Sequence, residues 1–321
     1  MSRPTVVPFA DEHLEAAAAL LAARHAAQRA VEPLLPARYE DPAAARAEVE
    51  AARGTEGATG AVALVDGRVA AYLIGAPRGD AIWGPNVWVE FAGHAAEEPE
   101  LVRDLYGALA ASWVERGSTR HYVLVPATDP TLVEAWYRLS FGQQHALGIQ
   151  EVPREGPSSA VGIELRPPTE ADLDDLIRLD LAVPEHQERS PVFSPVPRPN
   201  LEELRAEWVA DLDKSEEGLF LACRDGRAVG LLAVAPVELS SVHVGLARPD
   251  DACILGFAAT DPGARGTGVG LALTAAAFEW ARTHGFSTIV TDYRVTNLLS
   301  SRFWPRRGFR PTFLRLYRSI P

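Results

Sequence analysis

An internal duplication constrains the fold of this 321-residue chain more than any other feature of its sequence. Segment 61–70 (Ala-Val-Ala-Leu-Val-Asp-Gly-Arg-Val-Ala) resembles segment 219–229 (Leu-Phe-Leu-Ala-Cys-Arg-Asp-Gly-Arg-Ala-Val). In both, an Asp-Gly pair separates two apolar runs. Such a pair predicts a tight turn between two strands, so each segment is expected to form a β-hairpin.

A second pair of similar segments is separated by nearly the same number of residues. Asp129–Phe141 matches Asn297–Phe309 in the spacing of its residues. The aligned aromatic positions are Trp136 with Trp304, and Phe141 with Phe309. A repeat this long indicates two fused domains rather than a solenoid of short repeats.

The boundary between the two domains is predicted in a stretch rich in Pro, Gly and Ser, Pro153–Ser159, which is typical of a linker. We therefore expect domains at 1–155 and 160–321, each long enough to bury its own core.

The second half reads as hairpins followed by a strand-helix-strand unit, which predicts an α/β fold with a mixed sheet flanked by helices. Thr169 is expected to cap the first helix. The predicted elements are, in order, a strand at Ile163–Arg166, a helix after Thr169, a Pro-rich loop at Pro184–Pro199, a helix at Leu201–Leu212, the Asp225-Gly226 hairpin, a strand at Cys253–Thr260, a helix at Val269–His284, a strand at Ser287–Tyr293, a short helix from Asn297 and a strand at Thr312–Ser319.

Composition removes several classes of function. A net charge of −12 argues against a nucleic-acid partner, because phosphate backbones bind to basic faces, and mildly favours a cationic small molecule. No apolar run is long enough to span a bilayer and the first residues do not resemble a signal peptide, so we expect no membrane contact and a cytoplasmic protein. Cys223 and Cys253 are too few for a disulfide framework or a metal cluster.

Residues 263–270, which follow the strand that ends at Thr260, contain glycine at four of eight positions, with Arg265 between them. The glycines are Gly263, Gly266, Gly268 and Gly270. Glycines allow successive N–H groups to point towards one ligand, and the helix that follows adds a partial positive charge at the same point. The turn is therefore predicted to bind a diphosphate.

Two other glycine-rich motifs do not fit this segment. It has no Gly-Lys-Ser/Thr ending, as a P-loop would, and Gly266-x-Gly268-x-x-Leu271 lacks the third glycine of a dinucleotide fingerprint. A surface turn that uses glycine only for tightness stays open as the alternative.

Two motifs carry a resemblance to a known family. Arg265-Gly-Thr-Gly-Val-Gly270 resembles the Arg/Gln-x-x-Gly-x-Gly/Ala motif of the GNAT acetyltransferase superfamily. Asn297-x-x-Ser-x-x-Phe-Trp-x-x-x-Gly-Phe309 resembles its second signature, Asn-x-x-Ala-x-x-Phe-Tyr-x-x-x-Gly-Phe. The motifs occur in the family's order, and the two-domain organisation is similar to that of tandem members such as mycothiol synthase.

The resemblance implies two tandem GNAT (acyl-CoA N-acyltransferase) domains, with acetyl-CoA as cosubstrate and no metal. The pyrophosphate is expected on the backbone of the glycine turn, and the pantetheine arm along the preceding strand. The implied cofactor-binding residues are Phe257, Ala258, Ala259, Thr260, Arg265, Gly266, Thr267, Gly268, Val269, Gly270, Asn297, Ser300 and Phe303. The first half carries Glu97–Val102 at the position of Arg265–Gly270, an acidic segment without glycine, so one CoA site per chain is expected.

The catalytic groups are less well defined. The tyrosine that the family uses to reprotonate the leaving thiolate is replaced here by Trp304, whose indole cannot act as an acid at neutral pH. Tyr293 is a candidate substitute, and Glu238, His243 and Asp251 are candidate bases near the strand that would carry the thioester. Solvent-exposed loop charges and a half-buried strand tyrosine are the alternatives for these positions.

These observations predict an N-acetyltransferase that moves an acetyl group from acetyl-CoA to a small, amine-bearing acceptor. The loop Val183–Pro199 is expected to meet that acceptor. A non-catalytic acyl-CoA-binding sensor or scaffold is the alternative, and whether two copies pair as a homodimer stays open.

Overall fold

A computed structural model of the protein describes residues 3–79, 81–154, 162–194, 200–214 and 216–321. Most of the predicted linker, from 155 to 159, and the end of the predicted Pro-rich loop, 195–199, lie outside the described residues.

The described strands, in chain order, are β1 (Thr5–Pro8), β2 (Thr59–Val65), β3 (Arg68–Gly75), β4 (Asn86–Val89), β5 (His94–Ala96), β6 (Arg120–Pro126), β7 (Gly142–Glu151), β8 (Glu164–Arg166), β9 (Gly218–Arg224), β10 (Arg227–Pro236), β11 (Ala252–Thr260), β12 (Thr288–Arg294) and β13 (Arg310–Ser319).

The described α-helices are α1 (Leu14–Val31), α2 (Pro42–Gly54), α3 (Leu101–Glu115), α4 (Pro130–Tyr137), α5 (Leu173–Gln187), α6 (Leu201–Leu212), α7 (Val269–Thr283) and α8 (Ser300–Arg306). Within the described parts of the chain, none of them combines the length and the apolar character that crossing a membrane requires.

The chain forms two compact units. Unit 1 comprises Met1–Leu147, Gly245–Pro249 and Pro311–Pro321, and unit 2 comprises Gly148–Val244 and Asp250–Arg310. The C-terminal strand β13 thus lies almost entirely in unit 1, where Phe313–Ser319 pairs antiparallel with β6. The rest of unit 1 contains the sheet β1-β2-β3-β5, helices α1 to α4, and the parallel pair β4 and β6.

Unit 2 is a mixed sheet with helices packed against it. Its strands follow the order β12-β11-β10-β9-β8, in which only β11 and β12 run parallel. Helices α5 and α6 pack on the sheet through a cluster of buried side chains: Leu176, Leu179, Leu204, Trp208, Leu221, Cys223, Ala228, Leu231 and Ala259. This arrangement confirms the predicted α/β class.

The two halves repeat local geometry as well as sequence. The hairpin turns have nearly the same positive φ angles, 51° and 78° at Asp66-Gly67 and 51° and 75° at Asp225-Gly226. Positive φ at both central residues is what a tight hairpin turn requires, and it explains the Asp-Gly pairs.

The repeated aromatic pairs are also alike in the two units. The rings of Trp136 and Phe141 lie 5.0 Å apart at 77°, and those of Trp304 and Phe309 lie 5.4 Å apart at 81°. In each unit the phenylalanine N–H donates to the tryptophan carbonyl at 3.3 Å. The predicted duplication is therefore present in the side-chain packing of both units.

One predicted boundary was wrong. The Pro-rich loop was expected from Pro184, but α5 continues through that proline to Gln187. Thr169 caps the turn before α5, together with Asp172, as expected. The proline removes one intrahelical hydrogen bond, and side-chain bonds from His186 to Asn297 and from Arg294 to Gln187 hold the last turn of the helix.

A glycine in β10 tests the packing of unit 2. A Cβ at Gly230 would stand 2.5 Å from Val269 Cγ1 and 2.9 Å from Leu273 Cδ1, both buried side chains of α7. Gly230→Ala is therefore expected to lower the free energy of unfolding by about 1–3 kcal/mol, measured by urea denaturation.

Gly107→Ala is the control, because Gly107 lies in α3 with no atom within 4 Å of an added Cβ. Alanine should stabilise that helix by about 0.5–1 kcal/mol. A Gly230→Ala midpoint equal to that of the wild type would contradict the packing described here.

Candidate functional site

The parallel ladder between β11 and β12 ends in the middle of both strands. Its register runs from Ala252 opposite Thr288 to Leu255 opposite Thr291, whereas β11 continues to Thr260 and β12 to Arg294. Beyond Leu255, the edge of β11 that faces β12 carries backbone N–H and C=O groups outside this ladder. Such an edge can pair with an extended ligand.

Two features fix the point at which the ladder ends. The Thr291 hydroxyl donates to the Leu255 carbonyl at 3.2 Å, and buried His243 lies 3.2 Å from the Thr291 carbonyl through Nε2. On its other side β11 pairs with β10, but Ala233 is opposite Phe257 and Val234 is opposite Leu255, so Gly256 is an extra residue. A bulge of this kind bends a strand, and the β11–β12 ladder ends at the residue before it.

The glycine-rich turn follows directly after β11. Gly266 and Gly268 have φ angles of +76° and +94°, which residues with a Cβ rarely adopt. Gly268 is the N-cap of the 15-residue helix α7. The free N–H groups of the first turn of α7 and the positive end of its dipole therefore meet at this point. The geometry fits an anion, as the sequence predicts.

A salt-bridge network holds the start of this turn. Asp261 accepts the Gly263 N–H at 2.9 Å through Oδ1, and its Oδ2 accepts Arg178 at 2.7 Å and Arg227 at 3.2 Å. Arg178 also donates to the Ala228 carbonyl at 2.7 Å. No motif marks Arg178 in the sequence, because it lies 83 residues before its partner Asp261.

A first cavity of about 580 Å³ runs along the open strand edge to the glycine turn. Its wall contains most of the predicted cofactor-binding residues: Ala258, Ala259, Thr260, Arg265, Gly266, Gly268, Val269, Gly270, Asn297, Ser300 and Phe303. Four arginines (Arg265, Arg302, Arg306 and Arg307) and no carboxylate are found among the described residues that line it. The cavity is therefore suited to a ligand that carries several negative charges.

Two of the predicted cofactor-binding residues lie elsewhere. Thr267 does not line this cavity: its hydroxyl donates to the Ala264 carbonyl and its carbonyl accepts Arg224. Phe257 lines a second cavity.

The Asn297 side chain lies just before α8 and accepts two backbone N–H groups there. Its Oδ1 accepts the N–H groups of Leu299 at 3.1 Å and Ser300 at 3.4 Å, and it lies 3.2 Å from His186 Nε2. His186, Ala182 and Val183 at the end of α5 form the opposite wall of the first cavity. This part of the predicted acceptor loop thus borders the expected cofactor channel.

The second cavity, of about 390 Å³, begins where the ladder ends. Gly256 and Asp292, the first residues after the last pair of the ladder, both line it, together with Phe257. Its wall also contains Asp180 and Trp208 from α5 and α6. In contrast to the first cavity, its described lining has four carboxylates, Asp180, Asp211, Glu217 and Asp292, and no arginine or lysine.

The three predicted catalytic residues are not brought together. Glu238 is exposed on a short turn after β10, and Asp251 is exposed before β11, about 16 Å along the strand from Gly256 at about 3.3 Å per residue. Tyr293 is 8% exposed, and burial raises the pKa of its hydroxyl. None of the three is among the described residues that line either cavity, whereas Trp304 does line the first.

The corresponding turn of unit 1 carries ion pairs instead of glycines. Between β5 and α3, Glu97 pairs with Arg68, and Glu100 pairs with Arg103 and Arg138. The turn is therefore lined by carboxylates that are already neutralised by this unit's own arginines. Among the described residues of the whole chain, no group of three or more His, Cys, Asp or Glu could hold a metal ion.

Comparison with known proteins agrees with the motifs. Residues 181–309 match the model of the Acetyltransferase (GNAT) family. No curated protein matches the sequence.

Solved structures are similar over the whole chain. A GCN5-related N-acetyltransferase from Sphaerobacter thermophilus superposes with a TM-score of 0.60 at 15% identity, covering 100% of this chain and 96% of that one. A glucosamine N-acetyltransferase region of a fungal multi-domain GH3 β-N-acetylglucosaminidase has a TM-score of 0.54 at 13% identity, covering 99% of this chain and 38% of that one. Together with the duplicated units, these similarities confirm the predicted tandem GNAT fold.

The positive φ of Gly268 yields a prediction about ligand binding. Alanine there should relax the turn, and restoring the left-handed conformation on binding costs about 1–2 kcal/mol. We expect the Kd for coenzyme A, measured by calorimetry, to rise about 5- to 30-fold in Gly268→Ala.

Gly285→Ala is the matched control, because Gly285 follows the other end of α7 at φ +80° with no atom within 4 Å of an added Cβ. Gly285→Ala should lower the free energy of unfolding about as much as Gly268→Ala does and leave the Kd for coenzyme A unchanged. Equal affinities in both variants would show that the turn does not bind the cofactor.

Proposed function

We propose that this chain is an N-acetyltransferase that moves the acetyl group of acetyl-CoA to a small, amine-bearing acceptor, because residues 181–309 match the model of the GNAT acetyltransferase family. The observation that carries the proposal is the continuous path from the open edge of β11 to the glycine turn, inside one arginine-lined cavity. An acyl-CoA has the matching parts: a pantetheine arm with amide groups, a pyrophosphate and a 3′-phosphate.

Each part has a partner along the path. The N–H groups around Gly266–Gly270 would hold the pyrophosphate, and Ala258–Thr260 would pair with the pantetheine amides. Phe303 packs against this channel, since a Cβ on Gly270 would be 3.3 Å from its ring. Arg302, Arg306 and Arg307 carry the positive charge available to the 3′-phosphate.

We assign one CoA site to each chain, in the predicted domain at 160–321. The predicted domain at 1–155 is a degenerate copy, because its turn between β5 and α3 presents glutamates where unit 2 presents glycines and an arginine. A diphosphate there would find no glycine turn, and the nearby Arg68, Arg103 and Arg138 are already paired with those glutamates.

Acetyl transfer requires an acceptor held next to the thioester in the correct orientation, and such positioning accounts for much of the rate enhancement. The second cavity is at the lower end of the size range of small-molecule sites, about 300–1,000 Å³, which favours a small acceptor. Phe257, which lines it, is next to Ala258, the first β11 residue of the arginine-lined cavity.

A sensor that binds acyl-CoA without turnover is the second candidate. Buried Trp304 favours it, because this position cannot return a proton to the leaving thiolate. The two candidates differ in one respect: only an enzyme releases thiol in response to an acceptor.

Release of free thiol from acetyl-CoA, in the presence of a panel of small amines, tests the proposal. We expect acceptor-dependent release that is lost in Gly268→Glu, because the added carboxylate occupies the pyrophosphate site. Gly285→Glu, at the other end of α7, should retain it. Tight binding of acetyl-CoA without acceleration by any amine would instead support the sensor.

A further inference from the structure

We propose that the second cavity binds the acceptor as an amine with a second positive charge, a diamine or polyamine, and that Asp180 takes the proton from the reacting nitrogen. This inference rests on the proposed acetyltransferase function and assigns its substrate class and its base.

The second cavity adjoins the position at which the thioester is expected. The ladder between β11 and β12 ends at Leu255 and Thr291, and the next residue on each strand, Gly256 and Asp292, lines the second cavity. The first cavity begins at Ala258 on the same strand. A thioester that enters along the open edge of β11 therefore ends beside an amine that occupies the second cavity.

The Asp180 carboxylate is oriented to bind a cation. Its Oδ2 accepts the indole N–H of Trp208 at 3.0 Å, which orients the carboxylate and leaves lone pairs on both oxygens for another donor. The charged groups that influence it most strongly, Glu207 and Asp211, are both negative. Within the described part of the chain, no arginine or lysine contributes to its pKa or lines the cavity.

The same surroundings make Asp180 a better base than an ordinary aspartate. Burial raises the pKa of its carboxyl, the bond from Trp208 lowers it, and the charges of Glu207 and Asp211 raise it again, with a net upward shift. A base is most effective when its pKa approaches the working pH.

Further carboxylates of the second cavity can bind a second positive charge of the acceptor. Asp211 and Glu217 share Lys214, at 2.6 Å and 3.2 Å, so this group retains one net negative charge. Asp292 lies on the β12 side. A second ammonium group of the acceptor can thus be bound away from the reacting one.

The walls between these charges are apolar. The rings of Trp208 and Phe257 meet edge to face, with centroids 6.4 Å apart at 76°, and Ala233, Ala235 and Ile254 also line the cavity. Methylene groups pack against such surfaces, and an indole face also attracts an ammonium group. A short aliphatic chain with two amines matches this combination.

The reaction balances with Asp180 as the first proton acceptor. An ammonium group loses one proton to the Asp180 carboxylate, and the neutral nitrogen attacks the thioester carbonyl carbon. A C–N bond forms, the C–S bond breaks, and the thiolate leaves with the electron pair. The second nitrogen proton passes to the thiolate or to solvent, and Asp180 returns its proton to water.

Binding to the complex with coenzyme A tests the substrate class. We expect calorimetry to show that 1,4-diaminobutane binds at least about tenfold more tightly than butylamine, a difference of about 1.4 kcal/mol. Asp180→Asn should remove this preference while keeping an oxygen for the Trp208 N–H. Glu203→Gln, which removes an exposed carboxylate of α6 outside the cavity, should not change it.

Kinetics tests the role in proton transfer. For an amine acetylated by the wild type, Asp180→Asn should lower kcat/KM on the order of 10²-fold and leave the Kd of acetyl-CoA unchanged. As the pH decreases, Asp180 becomes protonated and can no longer accept a proton, so wild-type kcat/KM should fall. Because the pKa of Asp180 is raised, this fall should begin at a pH above the usual titration range of aspartate. This acid limb should be absent in Asp180→Asn.

Three outcomes overturn the inference. If diamine and monoamine bind equally, or if Asp180→Asn behaves like Glu203→Gln, the acetyltransferase proposal survives and this one does not. If the wild type fails to bind acetyl-CoA at all, the proposed function fails, and this inference fails with it.

Discussion

The early end of the β11–β12 ladder is the constraint on which the site in unit 2 depends. Four residue pairs hold the strands together, and the Thr291 hydroxyl and His243 fix the last pair. The next β11 residue, Gly256, forms a bulge, and a bulge bends a strand locally. A ladder that continued would satisfy the backbone groups of β11 within the protein and would close the space between the strands. Because it stops, the same groups are available to a ligand, and both cavities border the opening.

Charge divides this opening into two environments. Arginines line the cavity that leads to the glycine turn, and carboxylates line the cavity at the point where the strands part. Such a division suits a reaction between an anionic donor and a cationic acceptor, since each is attracted to its own side and repelled from the other. The net charge of −12 only hints at this pattern, because it averages the two sides.

Local backbone requirements explain what could be predicted from the sequence. The Asp-Gly hairpins, the glycine turn and the start of α7 at Val269 each depend on residues within a few positions, so their patterns are visible in one dimension. Asp180 and Trp208 are 28 residues apart and meet only because α5 packs against α6, and no motif marks either of them. Asp251 was a candidate base because it adjoins β11, but the rise of the strand places it far from the opening.

The most direct test of this site is a crystal structure of the protein with coenzyme A. We predict the pyrophosphate about 2.7–3.2 Å from the backbone nitrogens of Gly266–Gly270, with the pantetheine arm paired to β11 beyond Gly256. We also predict no coenzyme at Glu97–Val102 of unit 1. A pyrophosphate bound elsewhere, or a β11–β12 ladder that continues past Leu255 and Thr291, would contradict these predictions.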